Sequence, residues 1–220
     1  MIVYGSTLSP FVRKVMAYVS EKGLSVELVP SGMGRGGPDF AEASPFAKMP
    51  AFRDPGADHG RDFFISDSTA IITYLEAKYP EPVMIPADPI NRARAVWFEE
   101  FGDTMVAAAG GKVFFNRIVA PKFLKVPGDE AAAQGAIDTE LPRLLDYLER
   151  AIPDSGFLVG NAISLADIAV ASPFVNFAHC GVGVDAERWP RTVGYLEAIL
   201  ARPSFAAMVE GERQMVAALG

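Results

Sequence analysis

The chain has little cysteine, little histidine and no long uncharged apolar run, and each shortage removes a class of function. Cys180 is the single cysteine in 220 residues, so neither an internal disulfide framework nor a Cys-x-x-Cys redox or zinc site can form. His59 and His179 are the only histidines, too few for a histidine-rich metal centre, and no metal is expected. The longest stretch without charge, 168–184, is broken by Pro173, Asn176 and His179. That pattern fits a buried helix and its exit rather than a membrane span. Basic residues are outnumbered, 20 Lys and Arg against 27 Asp and Glu for a net charge of −7. The acidic balance argues against nucleic acid or an anionic membrane as partner. Met1 to Gly5 show no basic segment ahead of an apolar core, so no signal peptide is expected and the predicted location is cytoplasmic.

What remains is ordinary globular material, 50% hydrophobic and 21% charged, which excludes wholesale disorder. The length suits one large domain or two small ones, and the patterning favours two. Ile2-Val3-Tyr4 is a short apolar run suited to a buried strand. Phe11, Val12, Val15, Met16 and Val19 then repeat at helical spacing, with Gly23 placed to stop the helix. Val26 to Val29 predicts a second strand, parallel to the first across this β-α-β unit. Residues 31–38 form a flexible glycine-rich loop lacking the Lys-Ser/Thr ending of a phosphate loop. A short helix near Asp39 to Ala43, a strand Met49 to Phe52 and a strand Phe63 to Ile65 follow, with a hairpin turn expected at Asp54-Pro55-Gly56. Ala70, Ile71, Tyr74, Leu75 and Tyr79 complete an amphipathic helix that Pro80 and Pro82 end. Beyond a proline-bearing linker every periodic segment is helical, including one over Ile137 to Ile152 whose Pro142 marks a kink or the true start. The domains expected are residues 1–80, a linker at 81–88, and 89–220.

Four short motifs carry candidate chemistry. Ser9-Pro10-Phe11-Val12-Arg13-Lys14-Val15 follows strand one, and Ser44-Pro45-Phe46-Ala47-Lys48-Met49-Pro50 precedes strand three. Asp67-Ser68 opens the next helix, and Ser164-Leu165-Ala166-Asp167 lies in the helical half. Ser9 before Pro10 reads as an N-cap serine with proline at the first helical position. Ser66, Asp67 and Ser68 could each cap the helix behind them. Ser164 with Asp167 reads as an acidic capping box, with Ile163 and Ile168 as its hydrophobic staple.

A β-α-β-α-β-β-α domain with X-Pro at the start of its third strand looks like a thioredoxin-type α/β fold. Followed by an all-α domain, and with the motifs in register, it resembles the soluble glutathione transferases, nearest the serine-type classes such as tau and phi. The resemblance implies that Ser9 is the catalytic hydroxyl, donating to the sulfur of glutathione and favouring its thiolate. It implies a cis bond at Met49-Pro50, backbone pairing of Met49 with the cysteinyl group, and Lys48 on the glycyl carboxylate. Asp67 and Ser68 would hold the γ-glutamyl ammonium and carboxylate. Ser44 and Ala47 depart from the asparagine and glycine the family often has there. An electrophile site is implied against the first helices of the all-α half. Its candidates are Trp97, Phe101, Met105, Phe114, Phe115 and Arg117, together with Phe11. Tyr4 is read as buried in its strand, and Cys180 lies too far along to be a nucleophile. The activity implied is conjugation of glutathione, as co-substrate, to a small hydrophobic electrophile in detoxification, by a homodimer. Glutathione-dependent isomerisation, dehalogenation or ether cleavage, and non-catalytic ligand binding, stay open as alternatives.

Overall fold

The computed structural model describes residues 1–219 and divides into two compact units, one from Met1 to Met84 and the second from Ile85 onward. In the first, strands β1 (Ile2–Gly5), β2 (Glu27–Pro30), β3 (Ala51–Asp58) and β4 (Arg61–Ser66) make one sheet in the order β2-β1-β3-β4. β1 and β2 are parallel, as their intervening helix α1 (Pro10–Glu21) requires, and β3 is antiparallel to both β1 and β4. Successive residues of a strand face opposite sides. Tyr4 and Ala51 join Phe40 and Ala43 of helix α2 (Gly37–Ala43) in one cluster. Val3 and Phe52 are fully buried, as are Val12 and Val15 of α1 and Ile71, Ile72 and Leu75 of α3 (Ser68–Lys78). Each such side chain contributes about 1.5–3 kcal/mol when withdrawn from water.

Two expectations for this unit are corrected. The β3–β4 turn is not at Asp54-Pro55-Gly56, because β3 continues through those residues and turns at His59 and Gly60, both left-handed. The ladder instead skips from Asp54–Phe63 to Asp58–Arg61. This bulge absorbs Pro55, which cannot donate to a ladder. The glycine-rich loop is also tighter than expected. Gly32 and Arg35 exchange backbone hydrogen bonds of 3.0 and 3.1 Å around left-handed Met33 and Gly34, a two-residue turn.

The stretch 81–88 is fastened to the first unit as far as Met84. The buried Lys22 ammonium donates to the carbonyls of Tyr79 and Pro82, 2.7 Å each, and pairs with Glu76. Glu76 accepts from the Met84 amide at 3.1 Å.

The second unit is helical. One run comprises α4 (Pro89–Glu100), a wide π turn over Phe101–Val106, α5 (Ala107–Phe114) and a second wide stretch to Leu124. A second run comprises α6 (Glu130–Gly135), a wide turn over Ala136–Glu140, and α7 (Leu141–Ala151). Pro142 lies in the first turn of α7, directly after the wide turn. Helix α8 (Leu165–His179) is buried from Leu165 to Phe177. Helices α9 (Pro190–Leu200) and α10 (Pro203–Ala217) follow, and the Glu149 carboxylate on α7 caps α9 by accepting from the amides of Arg191 and Thr192 at 2.9 and 2.8 Å. No helix among the described residues is long and apolar enough to cross a membrane.

Candidate active site

The sheet register brings the first three motifs to one end of the first unit. Tyr4 pairs with Ala51 and Ala51 with Ser66, while Gly5 pairs with Pro30. The segment leaving β1 toward Ser9, the segment entering β3 from Lys48 to Pro50, and the segment leaving β4 toward Asp67 and Ser68 therefore emerge from the same edge. The glycine turn after Pro30 joins them. Residues some 60 positions apart in sequence become neighbours because β3 runs antiparallel to β1 and β4.

Ser9 holds the N-cap position of α1 with extended backbone, φ −78° and ψ 125°, yet its side chain makes no capping hydrogen bond. The hydroxyl is thus not spent on its own helix. It sits, half-buried, beside the positive end of the α1 dipole. The two basic residues that follow on α1, Arg13 and Lys14, are both fully buried. The Lys14 ammonium reaches the Thr69 hydroxyl in the first turn of α3, 3.4 Å away, and so links α1 to α3 near this edge. The apolar period of α1 gave no weight to these cations. Their adjacency inside a buried helix was the signal available.

Met49-Pro50 is cis, as the resemblance implies. Met49 lies in a bend two residues before Ala51, the residue of β3 that pairs with Tyr4. The loop before it is shaped by Ser44, whose hydroxyl accepts from the Lys48 amide at 2.9 Å and donates to the Lys48 carbonyl at 2.7 Å. Ala47, where glycine is common in the family, is left-handed at φ 53°. The Lys48 side chain is exposed.

Asp67 is the N-cap of α3. Its Oδ1 accepts from the amides of Thr69 and Ala70 at 2.9 and 3.3 Å, so the capping role is present. Its backbone stands at φ 79°, ψ 132°, a conformation that costs a non-glycine residue about 1–3 kcal/mol and collects at functional positions. Ser68 follows as the first helical residue and is buried.

Tyr4 is structural, as read from its strand. Its hydroxyl donates to Asp39 at 3.3 Å, and the Arg53 guanidinium also pairs with Asp39. Burial, with the Asp39 carboxylate adding to it, raises the Tyr4 pKa. Cys180 caps the end of α8, and burial pushes its thiol up to about 11, which suppresses the thiolate.

In the second unit, Trp97, Phe101 and Met105 line a cavity of about 490 Å³ with Leu144, Tyr147 and Arg143. The Trp97 indole donates to the Tyr147 hydroxyl, and the Phe101 and Tyr147 rings lie 5.0 Å apart. Tyr147 was not singled out by sequence, because it belongs to a different helix with its own apolar stripe. Phe114 and Arg117 do not line this cavity. Phe114 is buried in the helical core. Arg117 is engaged by Glu130, by Gln134 at 3.1 Å and by the Cys180 carbonyl at 3.4 Å. Phe115 is half-exposed, and Phe11 is partly buried in the first turn of α1. Among the described residues, no group of three or more His, Cys, Asp or Glu side chains could hold a metal ion.

Comparison with known proteins gives a consistent picture. Residues 3–83 match the family model described as glutathione S-transferase, N-terminal domain, and 129–198 the one for the C-terminal domain. A glutathione S-transferase of Hyoscyamus muticus is 30% identical over 96% of this chain and 98% of its own. A maleylacetoacetate isomerase of Pseudomonas aeruginosa is 29% identical, covering 92% of this chain and 91% of its own. Among solved structures, a glutathione S-transferase from Methylobacterium radiotolerans in complex with glutathione sulfonate is 26% identical. It superimposes with a TM-score of 0.74 over 94% of this chain and 93% of its own.

Proposed function

Because this chain belongs to the glutathione S-transferase family, we propose that it binds glutathione at the edge where β1, β3 and β4 present their motifs, and joins its sulfur to a small hydrophobic electrophile. The observation that carries this reading is the Ser9 hydroxyl, at an N-cap yet making no bond to the helix it opens. A thiol of pKa about 8.5 is mostly protonated at neutral pH, and only the thiolate attacks. A hydroxyl donating to sulfur, next to a helix N-terminus, favours the anion. Ser9 takes no proton in this scheme. It stabilises the charge that then forms the carbon–sulfur bond, while the electrophile's leaving group, where there is one, departs with the displaced electron pair.

The rest of the peptide is matched group by group. The Met49 backbone, just ahead of β3, is placed to offer the cysteinyl residue one added rung. The exposed Lys48 suits the glycyl carboxylate. Asp67 has a carboxylate oxygen besides its capping Oδ1 to meet the γ-glutamyl ammonium, and the Ser68 hydroxyl and amide suit the γ-glutamyl carboxylate. For the electrophile, Trp97, Phe101 and Met105 supply an apolar wall gathered in one cavity. Dimerisation and a cytoplasmic location complete the reading, and both rest on membership of the family. Isomerisation is the second reading, favoured by the resemblance to an isomerase, and it would draw on the same thiolate.

The test is the ultraviolet difference spectrum of bound glutathione in wild type and in Ser9→Ala. The thiolate band is expected in wild type and strongly reduced in the variant. An equal band in both would return Ser9 to a helix-opening role and move attention to Ser6 or Thr7. Turnover of an aromatic halide against turnover of a cis-enediacid separates conjugation from isomerisation.

A further inference from the structure

The glycine turn at residues 32–35 touches Met49, and that contact has a role of its own. A Cβ on Gly32 would come 2.6 Å from Met49 Cε and 3.2 Å from its Sδ. A Cβ on Gly5 would come 3.3 Å from Met49 Cβ and 2.5 Å from a Val12 methyl. The Met49 side chain therefore lies against two bare Cα positions, one from the end of β1 and one from the turn after β2. Both glycines have positive φ, 155° and 97°, which strains any side chain placed there; a Cβ on Gly32 would also push aside the flexible end of Met49.

The turn that bears on Met49 is itself held at both ends. Ser31 is buried, its amide donates to the Gly5 carbonyl at 3.3 Å, and its hydroxyl donates to the Val29 carbonyl at 3.0 Å. On the far side, a Cβ on Gly36 would meet the Phe40 ring at 2.7 Å, and Phe40 is part of the core under α2. On the chain just before Met49, the Ser44 hydroxyl clasps both backbone groups of Lys48. The Met49 side chain thus lies over Gly5 and Gly32, and the backbone of Lys48 just before it is held by Ser44.

We propose that the turn Gly32–Arg35 is a positioning element for the Met49 backbone: Gly32 seats the Met49 side chain, so that the N–H and C=O meant for glutathione's cysteinyl residue are held in place before the substrate arrives. This rests on the glutathione reading above and deepens it. Binding groups must be held to within about 0.5 Å of the productive geometry, and a displacement near 1 Å from a remote substitution can cost about 100-fold. Gly32 touches no substrate; it acts through Met49.

The experiment compares wild type, Gly32→Ala, Met49→Ala and the double variant, by steady-state kinetics with glutathione varied and by hydrogen exchange of the Met49 and Ala51 amides without ligand. For Gly32→Ala the expected result is a KM for glutathione raised roughly tenfold, kcat at saturation within about twofold, and exchange at Met49 about tenfold faster. Met49→Ala raises KM by roughly threefold, and the double variant falls clearly below the product of the two, since the clash is removed while the strain of a side chain at φ 97° remains. Multiplicative effects in the double variant, or an unchanged KM in a folded Gly32→Ala, overturn the proposal. Should Gly32→Ala fail to fold, Met49→Leu, whose branched end cannot lie flat on Gly32, is expected to raise KM with kcat kept; an unchanged KM there also overturns it. Wild type that binds no glutathione, while exchange at Met49 still rises in Gly32→Ala, would break the glutathione reading and leave the mechanical coupling standing.

Discussion

Two serines open two helices of this protein and use their hydroxyls in opposite ways. Ser164, at the head of α8, is buried and closed: it shares a capping box with Asp167, whose Oδ2 accepts from the Ser164 amide and hydroxyl at 2.9 Å. The other carboxylate oxygen takes the Leu158 amide at 2.8 Å, and the Tyr195 hydroxyl approaches at 3.3 Å. Ser9, at the head of α1, has the same capping position and no capping bond. The head of α8 uses its polar groups on itself, while the head of α1 has a hydroxyl with no capping bond. A hydroxyl committed to a cap is structure; one that leaves its helix uncapped is available for a partner from outside.

The comparison is broken most directly by exchanging the roles in experiment. Ser9→Ala is expected to lower kcat/KM by about 10²–10³, as loss of one charge-stabilising donor does, with the melting temperature nearly unchanged. A large drop in melting temperature with activity kept would invert the assignment. Asp167→Ala should do the reverse. It strands the Leu158 and Ser164 donors inside the fold and is expected to cost about 2–4 kcal/mol in denaturant unfolding. Glutathione affinity per folded molecule should hold. Native-like unfolding would mean that the buried box contributes little.

Asp67 sits between the two cases, since it caps α3 and is also proposed to meet the γ-glutamyl ammonium. Asp67→Asn keeps a good cap but removes the charge. The expected outcome is glutathione KM raised about tenfold with stability near wild type. Equal KM in the two proteins would leave Asp67 a cap alone. The smallest effect concerns Glu149. Burial acts to raise its pKa, but hydrogen bonds from the Arg191 amide and from Thr192 outweigh this and leave it lowered. Its contribution is therefore complete above the ordinary carboxylate range and is lost as pH falls through the lowered value. Glu149→Gln should cost about 1 kcal/mol near pH 7. The difference from wild type should vanish in acid, read as melting temperature against pH, and a pH-independent gap would contradict the cap.

Much of this was legible in the chain itself. The β-α-β order, the parallel first pair and the buried α8 followed from periodicity and the placement of glycine and proline. The capping box followed from spacing alone, because Ser164 and Asp167 lie three residues apart, whereas the bonds of Asp167 to Leu158 and Tyr195 did not. The β3–β4 turn was misplaced because Asp-Pro-Gly is a turn signal that a bulge can also absorb. Tyr147 beside Trp97, Lys14 beside Thr69 and Gly32 beside Met49 were invisible, since each joins residues from separate elements. Arg117 and Phe114 share an apolar helical pattern with Trp97 and Phe101, and periodicity does not say which stripe meets a cavity and which meets a core or a carboxylate.

The amino-acid order by itself determined the elements, the two-unit division and which residues could serve as caps, since these depend on local propensity and near neighbours in the chain. It could not decide how each candidate was used. Whether Ser9 closes on its helix, whether Asp67 is only a cap and which side chain seats Met49 depend on distances between segments far apart in sequence. The parallel pairing of β2 with β1 and the antiparallel placement of β3 beside β1 and β4 bring those segments together.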